Sequence, residues 1–588
     1  MTAAPTAPRA GLRWATSRAL TDALRRTDAG LLAMALLVGA ATGAGAIGFR
    51  LLIEALTWVF SGTTDYAATP GAPHGWLPHV GRWFVVLAPV LAGLLYGPLV
   101  HVAAPEARGH GVPEVMYAVA RRGGRIPPRV AVVKSLASAL CIGGGGSVGR
   151  EGPIVQIGSA LGSTVGQLVR VPEDRQRLLV ACGAAGGIAA TFNAPLAGVV
   201  FAMEIILRDF AARSFGMVVV SSVTASVVGR SVLGSQAFLD LPSFAVHHLG
   251  SYGLFALLGV LAGAAGVAFI RVLYGTEDLC DRLWRGPEWL RPAVGGLLLG
   301  LFLLAVPRMY GVGYPVLEDG VAGRYGIALL LLLLVAKMVA TSLTIGIGGS
   351  GGVFAPSLFL GAMLGAAFGQ AAQVVAPSTT GAPGAFALVG MAAVFAGAAQ
   401  APITAVLIVF ELTGEYSLIL PLMLAVSLAT AISHVLSRDS VYTAKLLRRG
   451  VDLDAPPPSW ASAHRVRVVM LPVPRSLHPG TSLPAAADAL RAAPGAELPV
   501  ADADGRLLGV LTAEALAERM GGEGGASDAS QWAEVRPTVT PDDSVADALA
   551  LLDHHSIHAL PVVDGDRLVG WFTPAAVLDR IRRDDPGR

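Results

Sequence analysis

The residues best suited to do chemistry lie in one glycine-rich stretch, residues 143–153, between two long apolar segments. It contains an Arg150–Glu151 pair, and charge within an apolar segment is costly and usually functional. Proline favours the first turn of a helix, so a helix is predicted to begin near Pro153. The first N–H groups of a helix have no partner within it, and the helix dipole is positive there. The pattern therefore predicts an anion site with a carboxylate beside it.

Two further glycine-rich breaks have the same form, at residues 109–114 and residues 348–356. A single break of this kind is explained equally well by an ordinary loop that leads into a helix as by an anion site. Three of them in one hydrophobic chain favour a single site lined by three helix N-termini. An irregular helix start at membrane depth is tolerated only where it lines a cavity or is buried in protein.

The elements that carry these breaks are predicted to be membrane helices. Hydrophobic residues make up 53% of the 588 residues and charged residues only 14%, against roughly 25% charged in soluble domains. Runs long enough to span a bilayer recur; examples are residues 31–52, 84–103, 254–274, 297–306 with their flanks, 327–347 and 418–436. Basic residues flank the first and last runs, which places both terminal regions in the cytoplasm.

Composition also argues against other classes of protein. The net charge of +2 gives no basic signature for nucleic-acid binding. The spacing of Cys141, Cys182 and Cys280 suits neither a metal site nor a disulfide framework. No nucleophile–base pair or nucleotide-binding loop stands out, so neither an enzyme nor a bound cofactor or metal is expected.

The membrane region contains an internal repeat. Residues 153–167 align without gaps on residues 356–370, with six of fifteen positions identical. Further along, a glutamate occupies the same place in both copies, as Glu204 and as Glu411. Repeated halves of this kind build transporters whose binding site lies at the interface of the halves.

From about residue 451 the chain changes to a soluble α/β region. Residues 498–512 and 560–573 show the same order of strand, turn and strand, each flanked by helices. The predicted organisation is a cytoplasmic tail (1–28), a transmembrane domain (29–450), a linker (451–463), a first module (464–520), a glycine-rich linker (521–531) and a second module (532–588).

Four motifs in this order resemble those of the CLC family of chloride channels and proton-coupled chloride antiporters. They are residues 149–153, 352–356 and 109–113, together with Tyr442. The tail resembles a tandem of cystathionine-β-synthase-type (CBS) modules. The resemblance implies an all-α polytopic membrane domain with an internal inverted repeat, followed by an α/β CBS pair. It further implies a homodimer in the lipid bilayer of the bacterial inner membrane, with one chloride pathway in each subunit.

The resemblance also implies roles for individual residues. Glu151 would be the gate, because its carboxylate and chloride can satisfy the same donors. Backbone N–H groups from Arg150 to Gly152 would hold an outer anion. The remaining anion-binding candidates, for a central site, are His110, Gly111, Val353, Phe354, Ala355 and Tyr442.

Two positions depart from the family pattern. His110 stands where the family has a serine, and two alternatives are open: direct anion contact, or a packed histidine bonded to a carbonyl. Ile205 stands where most family antiporters carry a proton-relay glutamate. Isoleucine offers neither an acid nor a hydrogen bond, and the neighbouring Glu204, which occurs in channels and antiporters alike, does not by itself restore the relay.

The sequence therefore predicts chloride transport through a glutamate-gated pathway that is channel-like, with weak or no proton coupling. The alternative is a chloride/proton antiporter on the same fold. A CBS-containing divalent-cation transporter is disfavoured, since helix N-termini repel cations. In the CBS pair, Ala515 and Ala576 occupy the positions of ribose-holding aspartates three residues after Thr512 and Thr573, so adenosine nucleotide is not an expected partner.

Overall fold

The computed structural model describes residues 22–234, 250–377, 380–453, 460–493, 497–520 and 528–584. The chain divides into two compact units, on either side of Leu453. Parts of the predicted tail 1–28 and of the linkers 451–463 and 521–531 lie outside the described residues.

The first unit is built from helices. Their bounds are α1 Asp28–Ser61, α2 Phe84–Ala103, α3 Val112–Arg121, α4 Arg129–Gly143, α5 Glu151–Val169, α6 Glu173–Phe192, α7 Pro195–Phe201, α8 Ala212–Leu233, α9 Ser251–Leu283, α10 Arg291–Ala305, α11 Tyr314–Val321, α12 Ile327–Gly346, α13 Phe354–Val375, α14 Pro383–Ala399, α15 Pro402–Thr413, α16 Ile419–Leu436 and α17 Thr443–Leu447. Within the described residues, seven helices are long and apolar enough to cross a membrane. The predicted run 84–103 coincides with α2.

Helix length and outward-facing side chains agree with a bilayer environment. α9 has 33 residues, about 50 Å at 1.5 Å per residue, which exceeds the hydrocarbon thickness and calls for tilt or a projecting end. Leu257 and Leu261 on α9 are 51% and 42% exposed. In water such a surface would be unfavourable, whereas lipid tails accept it.

The repeat predicted from the sequence is present in the fold. Gly149 and Gly352, 203 positions apart, bond to each other reciprocally: Gly149 N–H donates to Gly352 O at 2.7 Å, and Gly352 N–H donates to Gly149 O at 2.6 Å. This exchange is an antiparallel bridge between equivalent positions of the two copies. The two copies therefore meet at the glycine-rich starts of α5 and α13.

Each half contains one close helix pair that depends on glycine. A Cβ on Gly158 of α5 would lie 2.2 Å from the carbonyl oxygen of Gly183 on α6, and a Cβ on Gly361 of α13 would lie 2.2 Å from that of Gly390 on α14. Small residues let helix backbones approach closely in membranes. The glycine-rich composition therefore has a packing role in both halves.

The repeated glutamates link the halves. The carboxylate of Glu204 accepts hydrogen bonds from the N–H groups of Ile403 and Thr404, at 3.1 and 2.8 Å, in the first turn of α15. Glu411 on α15 accepts in the same way from Leu196 and Ala197 of α7, at 3.0 and 2.7 Å. Each half thus supplies the N-terminal cap for a helix of the other.

The second unit consists of two α/β modules. Its elements are α18 Trp460–Ala463, α19 Leu483–Ala492, β1 Glu497–Ala501, β2 Leu507–Thr512, α20 Ala513–Met520, α21 Val545–His555, β3 Leu560–Asp564, β4 Arg567–Phe572 and α22 Pro574–Asp584. β1 pairs with β2, and β3 with β4, as antiparallel hairpins. The hairpins meet at their turns, where Leu507 N–H donates to Asp566 O at 3.2 Å and Leu568 N–H donates to Gly505 O at 3.0 Å.

Candidate functional site

The structure brings the three glycine-rich breaks together. Gly109 N–H donates to Gly349 O, and Gly351 N–H donates to Gly109 O, both at 3.3 Å. The Gly149–Gly352 pair joins the other two breaks. Helices α3, α5 and α13 begin directly after these contacts, so three helix N-termini converge on one region inside the first unit.

The carboxylate of Glu151 lies at the start of a helix from the other half. Glu151 is 1% exposed. Its Oε2 is 3.4 Å from the N–H nitrogen of Ala355, in the first turn of α13. Its Oε1 accepts a 2.5 Å hydrogen bond from the hydroxyl of Tyr314, the first residue of α11. The carboxylate therefore uses a backbone donor of the kind an anion would use.

Two predicted site glycines allow the starts of α3 and α5 to touch. A Cβ on Gly152 would lie 2.2 Å from the carbonyl oxygen of His110. Gly111 has φ of 82°, which disfavours other residues, and its Cβ would lie 2.8 Å from the Gly152 oxygen. Arg150 stands at the N-cap of α5, with its guanidinium 5.3 Å from the centre of the Tyr314 ring.

The start of α13 is surrounded by aromatic rings. Val353 and Phe354 are both 2% exposed. The Phe354 ring centre lies 4.4 Å from that of Phe395, 5.5 Å from that of Phe192 and 6.3 Å from that of Phe201. These rings exclude water from the helix start, which strengthens electrostatic interactions there. Sequence reasoning singled out Phe354 and missed the other three.

His110 and Tyr442 lie side by side. They are 2% and 1% exposed, and their ring centres are 6.3 Å apart. Nε2 of His110 is 3.3 Å from the hydroxyl of Tyr274 on α9. The histidine is therefore packed, but it contacts a hydroxyl, not the carbonyl that one of the two alternatives expected. Tyr274 is a site residue that the sequence analysis did not identify.

Two buried lysines hold the loops around the site. Lys134 on α4 donates from Nζ to the carbonyl oxygens of Ala107 and Gly109, at 2.9 and 2.7 Å. Lys337 on α12, 203 positions later, donates to the carbonyl oxygens of Gly311 and Val312, at 3.2 and 2.8 Å, and to the Ser147 hydroxyl at 2.9 Å. The same separation of 203 positions relates the two aligned copies of the repeat, so the sequence could have predicted that these two lysines are equivalent.

Ile205 lies on a short π-helical segment, Ala202–Leu207, that continues α7. It is 4% exposed and belongs to the hydrophobic core. The adjacent Glu204 is directed to the first turn of α15, where Thr404 also donates its hydroxyl to the carboxylate at 2.6 Å. π-Segments within α-helices often mark functional positions.

A cavity of about 530 Å³ reaches Arg150 and Tyr314, the neighbours of Glu151. Its charged lining residues are Arg50, Glu54, Asp65, Arg150, Arg230 and Glu318. Burial raises the pKa of the Asp65 carboxyl above its ordinary value, which favours the neutral form. The cavity therefore lies next to two residues that neighbour Glu151.

Comparison with known proteins identifies the family. The family of voltage gated chloride channels matches residues 92–434, which is more than half of the chain. The chain belongs to the CLC family. CBS domains match residues 466–522 and 533–583. CLC proteins of this kind are multi-pass membrane proteins that transport anions, in agreement with the seven apolar helices of the first unit.

Curated relatives carry two kinds of name. The CLC chain is 38% identical over 380 residues to the H(+)/Cl(−) exchange transporter ClcA of Vibrio parahaemolyticus, covering 63% of this chain and 80% of the relative. It is 34% identical over 433 residues to a putative chloride channel protein ClcB-like of Ralstonia nicotianae, covering 73% of this chain and 99% of the relative.

Solved structures agree on the fold. A slow cyanobacterial Cl−/H+ antiporter aligns with a TM-score of 0.65 and 27% identity, covering 71% of this chain and 97% of that one. A eukaryotic CLC transporter aligns with a TM-score of 0.61 and 24% identity, covering 94% of this chain and 98% of that one. The predicted fold class, a CLC-type membrane domain followed by an α/β CBS pair, is confirmed.

Proposed function

We propose that this protein is a chloride/proton antiporter in which the Glu151 carboxylate competes with anions and carries protons. The position of that carboxylate carries the proposal. It lies 3.4 Å from a backbone N–H at the start of α13 and is almost fully buried. A carboxylate there blocks the anion route when charged, and protonation weakens its hold on the donor.

The relatives favour exchange over a channel. Several curated relatives at 38–40% identity are named H(+)/Cl(−) exchange transporters, and a structural neighbour at 27% identity is described as a Cl−/H+ antiporter. These names describe those proteins. They support the alternative left open in the sequence analysis more strongly than the channel-like prediction.

A chloride channel with weak or no proton coupling is the second candidate. Ile205 favours it, because a buried isoleucine cannot hold a proton at the position where most family antiporters carry a glutamate. Glu204 does not replace that group in our proposal, since both of its carboxylate oxygens already accept hydrogen bonds from the start of α15.

The surroundings of the pathway complete the proposal. The anion donors would be the backbone N–H groups near Arg150–Gly152 and Val353–Ala355, with Gly111, His110 and Tyr442 at the central site. The working unit would be a homodimer in the bacterial inner membrane with both terminal regions in the cytoplasm. No cofactor is required by this scheme, and the CBS pair would pack or tune the transporter without binding adenosine nucleotide.

Reconstitution into liposomes tests the proposal directly. Liposomes are loaded with high chloride, the membrane potential is held with potassium and valinomycin, and external pH is recorded as chloride leaves. An antiporter takes up protons against their gradient while chloride flows outward. The matched control is Glu151→Gln, which keeps the size of the side chain and removes its charge. We expect this variant to pass chloride without proton uptake.

The reversal potential separates the two candidates. For an antiporter, the reversal potential moves with the proton gradient at fixed chloride. If it remains at the chloride Nernst potential for every pH gradient, the protein is a passive pathway and the channel-like hypothesis is correct.

A further inference from the structure

His110 is a buried imidazole with one nitrogen engaged and one without a partner. Nε2 is 3.3 Å from the hydroxyl oxygen of Tyr274. That hydroxyl donates its hydrogen to the carbonyl oxygen of Val441 at 2.5 Å. Nδ1 is buried and has no hydrogen-bond partner among the described residues. Buried polar atoms are seldom left in this state, so Nδ1 calls for an explanation.

The contact with Tyr274 decides which nitrogen carries the hydrogen. A tyrosine hydroxyl has a single hydrogen, and here Val441 receives it. Towards His110 the hydroxyl oxygen can therefore only accept, so Nε2 must be the N–H nitrogen. A neutral imidazole has one N–H group, which leaves Nδ1 with a lone pair. In this form Nδ1 accepts protons and repels an anion.

We propose that His110 binds a proton at Nδ1 together with an anion in the adjacent central site, so that anion occupancy and proton uptake are linked at this residue. The proposal rests on the proposed function, since it requires the central anion site beside Tyr442. In the step, the Nδ1 lone pair forms a bond to a proton, either from the Glu151 carboxylic acid, whose O–H bond breaks to leave the carboxylate, or from hydronium in the solvent, which leaves water. The Nε2–H bond to Tyr274 is kept, and the new Nδ1–H group donates to the anion. Departure of the anion returns the proton.

Burial of the ring and the charges around it explain why the proton and the anion bind together. Lys445, Lys134 and Arg449 all act on His110 electrostatically. Lys445 and Arg449 are paired with Glu277 and Glu114. Two tyrosines, Tyr274 and Tyr442, also lie next to the ring.

Burial of the ring first, and then the positive charge of these side chains, oppose an imidazolium when the site holds no anion. A bound anion offsets the repulsion and accepts the Nδ1–H bond, so each ligand favours the other.

The position of His110 gives this linkage a role in coupling. Ile205 leaves the segment Ala202–Leu207 without a titratable group at the relay position. His110 supplies one at the start of α3, beside the groups proposed to hold the anion. Protons and anions would then share this part of the route.

Calorimetry on the purified full-length protein measures the linkage. Chloride is titrated between about pH 5 and 8, the range in which histidines usually change charge, in buffers of different ionisation enthalpy, which reveals the protons taken up per anion. The background is Glu151→Gln, so that the gate carboxylate contributes none. We expect close to one proton per chloride at the alkaline end, with affinity rising about tenfold for each pH unit lowered there.

Variants at two positions test the mechanism. His110→Asn and His110→Ser, in the same background, should bind chloride with no proton uptake and with pH-independent affinity. Two substitutions are used in case one does not fold. Tyr274→Phe removes the acceptor that holds the hydrogen on Nε2. The Nδ1–H form then becomes available without protonation, and proton uptake should fall while His110 is still present.

Each result separates this proposal from the antiporter proposal. Chloride binding without proton uptake in the Glu151→Gln background overturns the role of His110, even where liposomes show proton exchange by the wild-type protein. Uptake that persists in His110→Asn overturns it as well. Uptake that requires His110, in a protein whose liposomes show no proton exchange, supports the linkage and rejects antiport. No chloride binding in any variant overturns the central site and this proposal with it.

Discussion

The hydroxyl of Tyr314 donates a 2.5 Å hydrogen bond to Oε1 of Glu151, across 163 positions of sequence. The Arg150 guanidinium lies over the same tyrosine ring, at 5.3 Å from its centre. The first residue of α11 thus holds the carboxylate proposed as the gate. A hydrogen bond to a charged group contributes about 1.5–3 kcal/mol.

Tyr314→Phe should therefore loosen the gate. Removing one oxygen destabilises the closed position of Glu151, and chloride efflux from liposomes at neutral pH should rise about tenfold or more. Tyr325→Phe is the control, because that hydroxyl bonds to Asp319 at 2.9 Å and does not contact Glu151. Equal efflux from wild-type protein and Tyr314→Phe would mean that the tyrosine does not hold the gate.

Glu204 and Glu411 should both contribute to stability. Each accepts two backbone N–H groups in the first turn of a helix from the other half. Replacing either by glutamine removes the charge that favours a helix N-terminus, at a cost of about 1 kcal/mol. We expect a similar fall in melting temperature in detergent for both single variants and a summed fall for the double variant.

The same pair tests whether Glu204 carries protons. If Glu204 is a cap alone, Glu204→Gln and Glu411→Gln should leave the ratio of proton flux to chloride flux at the wild-type value. Glu514→Gln, an exposed position in α20, is the control for stability. Loss of proton flux confined to Glu204→Gln would assign that residue a relay function and remove the equivalence of the two glutamates.

Local signals made much of the fold predictable. A membrane helix and its N-terminus depend on residues that are adjacent in the chain. Short stretches of sequence were therefore enough to predict the apolar runs, the three glycine-rich breaks and the repeat. The observed run of α2, Phe84–Ala103, matches its prediction at both ends. The equivalence of Lys134 and Lys337 could have been found from the offset of 203 that the alignment already contained.

The partners of the site residues could not be predicted in this way. Tyr314 and Tyr274 come to Glu151 and His110 from 163 and 164 positions away. Tyr274 belongs to a long apolar helix in which the hydrophobic pattern does not distinguish a lipid-facing side from a site-facing one, and Tyr314 begins a helix of only eight residues. The orientation of Glu204 could not be predicted either, because its carboxylate oxygens accept hydrogen bonds from the start of α15, almost 200 residues later in the chain.

Tyr442 is expected to contribute to anion affinity through its hydroxyl. The ring is 1% exposed and lies beside His110. Tyr442→Phe preserves this packing and removes one donor, so chloride affinity measured by calorimetry should fall at least tenfold. Tyr310→Phe is a matched control, since that buried hydroxyl donates to Gly143 O at 2.7 Å. An unchanged affinity in Tyr442→Phe would remove this tyrosine from the site.

Adenosine nucleotides are not expected to bind the CBS pair. The hydroxyl oxygen of Thr512 accepts from Ala515 N–H at 3.1 Å, and that of Thr573 accepts from Ala576 N–H at 3.3 Å. Both hydroxyls therefore serve as caps for α20 and α22, and the alanines offer no carboxylate for a ribose. Equilibrium dialysis of the full-length protein against labelled ATP should show no saturable binding at millimolar concentration.

A double variant makes the nucleotide prediction a positive test. Ala515→Asp with Ala576→Asp places a carboxylate three residues after each threonine, where it can accept hydrogen bonds from ribose hydroxyls. If the missing acceptor is what prevents binding, this variant should retain ATP in dialysis where the wild-type protein does not. Saturable binding by the wild-type protein would instead mean that other groups of the pair hold the nucleotide. The alanines would then have no bearing on ligand choice.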